Sequence, residues 1–232
     1  MSHHFLSLDE LDVDGAIREG AEEVAVDSRE GFLRKAAVGG AGLIGSAAFI
    51  GALPKLASAA TIPASDIAIL NFALTLEFLE ADFYAEAVQR NRLGVGVTKR
   101  FATVVAQHEK SHVAFLRKVL GAKAVAKPRF DFKGTTSDKA KFEATADVLE
   151  NTGVHAYLGQ VGNIRTKAVL LGAGRILPVE ARHAAWIRQI RFPAAGARGG
   201  GSAQTPAPGA FEDGFSKAKI LAAVKATGFI VG

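Results

Sequence analysis

The chain has 232 residues, 49% of them hydrophobic, no cysteine and a formal net charge of +5. That composition suffices for a sizeable core, and the missing thiols exclude disulfides, thiolate zinc sites and cysteine nucleophiles. The charge is uneven: residues 1–59 hold 5 Lys/Arg and 9 Asp/Glu, which leaves 23 basic and 14 acidic residues beyond them. Scattered solvated lysines account for such a basic body more simply than a nucleic-acid or membrane face.

Residues 1–59 read as a leader. An acidic start, Leu8 to Asp27, runs into Ser28-Arg29-Glu30-Gly31-Phe32-Leu33-Arg34-Lys35. An uncharged Ala/Gly-rich run from Ala36 to Leu53 follows, and then the small-x-small site Ala57-Ser58-Ala59. The basic stretch resembles a twin-arginine export signal, with Glu30 standing where the second arginine belongs. The uncharged run just reaches bilayer-spanning length. General secretion and a retained membrane tether therefore stay open beside the twin-arginine route, and so does a buried Gly-rich helix of a cytoplasmic protein. The expected address is the periplasm or cell envelope.

Residues 60–192 read as four long helices. Pro63 with Ser65-Asp66 starts the first, which runs to Arg92 before Gly94 and Gly96. Thr98 is the expected N-cap of the second, ending at Gly121. The third spans 137–162 and the fourth 166–191, with a kink expected at Pro178. Residues 121–137 form a long connection with at most short strand pieces at 128–133. Short turns on either side of it make two antiparallel hairpins joined by a crossover, an all-α arrangement of the ferritin-like four-helix type. Residues 193–232 read as a flexible Gly/Pro/Ala linker and a short helix over Lys217–Thr227.

Two Glu-x-x-His pairs, Glu109/His112 and Glu180/His183, lie on apolar 3-4 stripes. In the second helix the stripe is Ala102, Val105, Glu109, His112, Leu116, Val119; in the fourth it is Val169, Ala173, Ile176, Glu180, His183, Ile187, Ile190. In the first, Ile67, Leu70, Leu74, Ala81 and Val88 leave gaps filled by Glu77 and Tyr84. The third shows Ala146, Glu150, Gly153, Tyr157, Ile164. Four inward carboxylates would cost several kcal/mol each unless paired or bound to cations. Two divalent ions held by Glu77, Glu109, His112, Glu150, Glu180 and His183 resolve that penalty most simply, and oxygen and imidazole donors without thiolate suit iron or manganese, with zinc admissible.

The pattern also repeats: Glu77 with Tyr84 seven residues on precedes the first pair by 32, and Glu150 with Tyr157 seven on precedes the second by 30. With Leu70–Glu77 (LNFALTLE) and Val179–Ala185 (VEARHAA), this resembles the ferritin-like di-iron carboxylate family, close to the bacterial ferritin-like group that includes desiccation-related proteins. The resemblance implies that Glu109 and Glu180 bridge the metals, that Glu77 and Glu150 are terminal ligands, and that His112 and His183 take one ion each. Tyr84 and Tyr157 would stand beside the ligands as electron donors, or simply pack. Glu80 is the alternative inward acid should Glu77 face solvent. His108 and His155 are expected off the metal seam, His3 and His4 in the leader, and Arg182 and Trp186 on the surface and in packing.

Three functions are compatible with this. The first is a di-metal oxidoreductase or metal-handling protein, ferroxidase- or peroxidase-like, that reacts with oxygen or peroxide under oxidative or desiccation stress. The second is a non-catalytic protective or interaction protein. The third, a DNA-associated miniferritin, rests only on the basic body, and no specific nucleic acid is expected as partner. The leader and tail favour a monomer or small homo-oligomer over a storage cage.

Overall fold

The computed structural model describes residues 62–193 and 204–231. Residues 1–59, where the sequence suggests an export signal, a cleavage site or a membrane tether, therefore lie outside the described residues, as does the middle of the linker. Among the described residues no helix is long and apolar enough to cross a membrane.

Among the described residues five α-helices follow in order: α1 (Ala64–Arg90), α2 (Val97–Leu120), α3 (Lys139–Val161), α4 (Lys167–Arg191) and α5 (Lys217–Thr227). Asn91, in the left-handed region at φ 51°, ends α1, and glycines at positive φ (Gly94, Gly96) turn the chain into α2. Thr98 is not the N-cap expected from sequence. Gly96 takes that place, and the buried Thr98 hydroxyl instead donates to Glu143 on α3 at 2.6 Å. Asp138 does cap α3, accepting from the Lys141 N–H at 2.8 Å. Thr166 makes no side-chain cap for α4. Asp66, one hundred positions upstream, does so instead, accepting from the backbone N–H groups of Arg165 (3.1 Å) and Thr166 (2.8 Å). α4 continues through Pro178, whose missing N–H frees a carbonyl at solvent-exposed Gly174.

α1 packs along α2 and α3 along α4, while α1 meets α3 and α2 meets α4, so the four helices close a square with the 121–138 crossover between its hairpins. The apolar core divides into two groups. One gathers Phe72, Phe83, Tyr84, Phe101, Phe142 and Ile187; the other gathers Leu70, Leu74, Phe78, Leu116, Tyr157 and Ile176. Phe83 and Phe142 stack with centroids 5.2 Å apart.

The stripe read for α1 is too narrow. Val88 is exposed, whereas Phe72, Leu76, Leu79 and Phe83, outside that stripe, are buried. The reason is that the outer side of α1 is covered too. Phe132 of the crossover and Ile220, Val224 and Phe229 of the tail pack into the same group as Phe72 and Phe83. The described part of the tail is bound to the bundle. The Phe215 N–H donates to the His155 carbonyl at 2.9 Å, Phe130 and Ile230 form an antiparallel bridge, and the Asp131 N–H donates to the Phe229 carbonyl at 2.8 Å. A Cβ on Gly159 would collide with the Phe215 backbone, so the glycine sets how closely the tail approaches α3.

Candidate metal centre

The helical spacing of each Glu-x-x-His pair places both side chains on one face, and the square packing brings the two pairs face to face between α2 and α4. Glu77, Glu109, Glu150 and Glu180 are all fully buried, and His183 is 2% exposed. His112 Nδ1 lies 3.2 Å from Glu77 Oε2, 3.1 Å from Glu109 Oε2 and 3.0 Å from Glu180 Oε1. His183 Nδ1 lies 3.2 Å from Glu109 Oε1, 3.1 Å from Glu150 Oε2 and 3.9 Å from Glu180 Oε2. The structure thus assembles all six residues singled out in the sequence.

They form two overlapping quartets, Glu77/Glu109/His112/Glu180 and Glu109/Glu150/Glu180/His183, with one ligand atom from each member of a quartet within 4.8 Å of the others. Glu109 and Glu180 belong to both. Glu109 Oε1 and both oxygens of Glu180 are buried without a hydrogen-bond partner among the described residues, because the nearby imidazoles approach without hydrogen-bond geometry. A buried carboxylate oxygen left unpaired costs several kcal/mol. The orphaned oxygens sit on the two shared glutamates, where a pair of cations would take them up. The residues present fit a two-metal site.

Two tyrosines brace the outer glutamates across the bundle. Tyr84 of α1 donates its hydroxyl to Glu150 Oε1 of α3, and Tyr157 of α3 donates to Glu77 Oε1 of α1. Both phenols are pushed well above their ordinary range, by burial first and then by those carboxylates, so they stay protonated donors.

A fifth acid enters the centre. Glu80 is 3% exposed, and its Oε1 lies 3.4 Å from where a Cβ on Gly153 would stand, with Glu180 Oε2 3.3 Å from the same point. The sequence offers Glu80 as an alternative to Glu77; one turn apart on a helix buried on most sides, both point inward. His108 also departs from expectation. It is half-buried, and its Nδ1 lies 2.8 Å from His183 Nε2 with the two rings inclined by 16°. Nothing in the apolar stripe marks it, since the contact is made across helices. His155 does lie away from the centre, stacked on Phe215 and donating to the Asp213 carbonyl at 2.6 Å. Arg182 is exposed, and Trp186 packs edge-on against Phe101.

The electrostatics show a cluster holding protons where cations would sit. Burial pushes Glu77 up to about 7 although His112 opposes it. Burial, followed by the neighbouring carboxylates, drives Glu80 and Glu180 well above the usual range, and burial raises Glu150 against the pull of His183. Glu109 alone goes down: burial disfavours its charge, but the imidazoles of His112, hydrogen-bonded to it, and of His183 beside it outweigh that. Burial also works against charge on His112 and His183, yet Glu77 beside one and Glu150 beside the other lift both well above the usual imidazole range. Burial and His183 lower His108. A metal ion entering the cluster would displace these protons.

Residues 65–192 match the sequence model of the ferritin-like domain family. No curated protein matches the chain.

Proposed function

Because the chain belongs to the ferritin-like domain family, we propose that its buried cluster holds two ions, iron first and manganese next, and that the protein reduces oxygen or peroxide in metal handling or in defence against oxidative or desiccation stress. The observation behind this reading is the set of orphaned oxygens on Glu109 and Glu180, the two acids common to both ligand quartets. When bound, a pair of reduced iron or manganese ions would supply the electrons for an oxygen-based oxidant.

The chain's own residues have three tasks in this reading. Glu109 and Glu180 would be shared by the two ions, while Glu77 with His112 and Glu150 with His183 would complete one half each. Tyr84 and Tyr157 hold the outer glutamates in place and keep a proton at each hydroxyl. Val105, Leu116, Ile176 and Ile187, all buried, limit the entry of bulk water. The leader would export the bundle or tether it at the cell envelope, and the protein would act as a monomer or small homo-oligomer.

The test is anaerobic loading of the purified full-length chain with Fe(II) or Mn(II), elemental analysis, and then stopped-flow absorbance after adding oxygen or peroxide. Two ions per chain and oxidation faster than that of free Fe(II) are expected. Stoichiometric metal with no turnover would leave the non-catalytic protective role. No uptake of iron, manganese or zinc would end the metal reading.

A further inference from the structure

The two halves of the centre are related by a pseudo-twofold arrangement, but one imidazole breaks it. His108 immediately precedes Glu109 in α2, and Val179 immediately precedes Glu180 in α4. His183 has a polar neighbour on its outward nitrogen: its Nε2 lies 2.8 Å from His108 Nδ1. Among the described residues the close polar contacts of His112, by contrast, run through Nδ1, to Glu77, Glu109 and Glu180. Val179, the counterpart of His108, has no side-chain acceptor to offer.

We propose that His108 is a positioning residue that fixes the ring of His183 and makes the Glu150/His183 half the tighter of the two metal positions. The proposal rests on the two-metal reading above. With His183 Nδ1 directed at Glu109 and Glu150, a ligating neutral ring must carry its proton on Nε2, and that N–H donates to His108 Nδ1. His108 then carries its own proton on Nε2. This one combination of tautomers satisfies both rings and leaves the His183 Nδ1 lone pair free for a metal. A hydrogen-bonded acceptor behind a ligating histidine holds the ring at its working angle and raises its basicity, and removing such a partner commonly weakens metal binding about 10–100-fold. Burial adds to the asymmetry: the His183 side chain is 3% exposed, that of His112 12%. Less of the His183 ring's freedom remains to be lost on binding.

The test titrates the metal-free, full-length protein with Co(II), followed by calorimetry and by the visible absorbance of the bound ion. The wild type should load in two resolved steps. His108→Phe keeps the ring volume but removes the acceptor; it should weaken the tighter step about 10–100-fold, alter its cobalt spectrum and leave the other step in place. His108→Gln, whose amide oxygen can accept the same bond, should recover the tighter step. His108→Ala serves the same comparison should the Phe variant not fold. Two equal steps in the wild type, a tighter step untouched by His108→Phe, or equal losses in the Phe and Gln variants would overturn the proposal while leaving the two-metal centre standing. A wild type that takes up no cobalt would remove the metal reading itself.

Discussion

Tyr157 of α3 donates its hydroxyl across the bundle to Glu77 of α1. Tyr84 of α1 answers with the same bond to Glu150 of α3, so each half of the centre is braced by the helix that supplies the outer glutamate of the other half. The seven-residue spacing of Glu77/Tyr84 and of Glu150/Tyr157 puts each tyrosine two turns from the glutamate on its own helix, and the packing of α1 against α3 makes the exchange.

Tyr157→Phe should remove that brace with little change in shape. Glu77 Oε1 would lose its donor in a fully buried setting, at a cost of about 1–3 kcal/mol. Urea unfolding of the metal-free protein checks the stability loss, and metal titration should show the change in the Glu77/His112 half alone. Tyr84→Phe should act on the Glu150/His183 half. Equal effects of either variant on both halves would contradict the crossed bracing.

Gly153 leaves room for two acids at once. A Cβ there would stand 3.3 Å from Glu180 Oε2 and 3.4 Å from Glu80 Oε1, close enough that both must yield by a few tenths of an ångström. The helical φ of this residue poses no obstacle to alanine, which should favour α3 by roughly 0.5–1 kcal/mol. Gly153→Ala is therefore expected to keep or raise helix stability while weakening metal uptake at the shared Glu180. Thermal denaturation beside elemental analysis separates the two effects; unchanged metal content would show that the carboxylates have slack.

The long helices, the crossover and the six clustered acids and imidazoles were legible because burial repeats at the helical period, and because acids and imidazoles replacing apolar residues on that period need a reason. What escaped lies off the period. His108 meets His183 only across two helices. Glu80 falls outside the stripe read for α1, yet it faces Gly153 of α3 and Glu180 at the centre. Thr98 looked like a cap because hydroxyls favour helix starts, yet its oxygen serves Glu143 on another helix. The cap of α4 by Asp66 spans one hundred positions and leaves no local signature.

Asp66 should matter far beyond its own helix. Burial acts to raise its pKa, but hydrogen bonds from Thr166, Arg165 and Ser65 outweigh it and hold the carboxyl below the ordinary value of 3.8. A carboxyl lowered on folding adds stability above its unfolded pKa and loses it as pH falls through the folded value, so this contribution should vanish only below about pH 4. Asp66→Ala, which strands the N–H groups of Arg165 and Thr166 at the start of α4, should cost about 1–3 kcal/mol at neutral pH. Denaturant unfolding at pH 7 and at pH 3 checks this, since the difference between variant and wild type should shrink at the lower pH.

The centre itself should give the opposite dependence on pH when metal is absent. Glu77, raised to about 7, and Glu80, Glu150 and Glu180, also raised, bind protons more tightly in the fold than in the unfolded chain. His112 and His183 are raised as well. Groups of this sign stabilise the fold fully below their unfolded pKa values, and that stabilisation is lost as pH rises through the folded ones. Glu109, lowered on folding, has the contrary sign, but above pH 5 it is largely ionised in both states and changes little. The melting temperature of metal-free protein should therefore fall between about pH 5 and pH 8, as carboxylates ionise beside one another in a buried site. Metal replaces those protons, so Mn(II) at a hundred times its dissociation constant should add about 2.7 kcal/mol per independent site and remove the downward slope. Calorimetry in buffers of different ionisation enthalpy should also register protons released on binding. A metal-free melting temperature that is flat or rising across this range, with no proton release, would mean that the glutamates reach charge balance by some route other than metal.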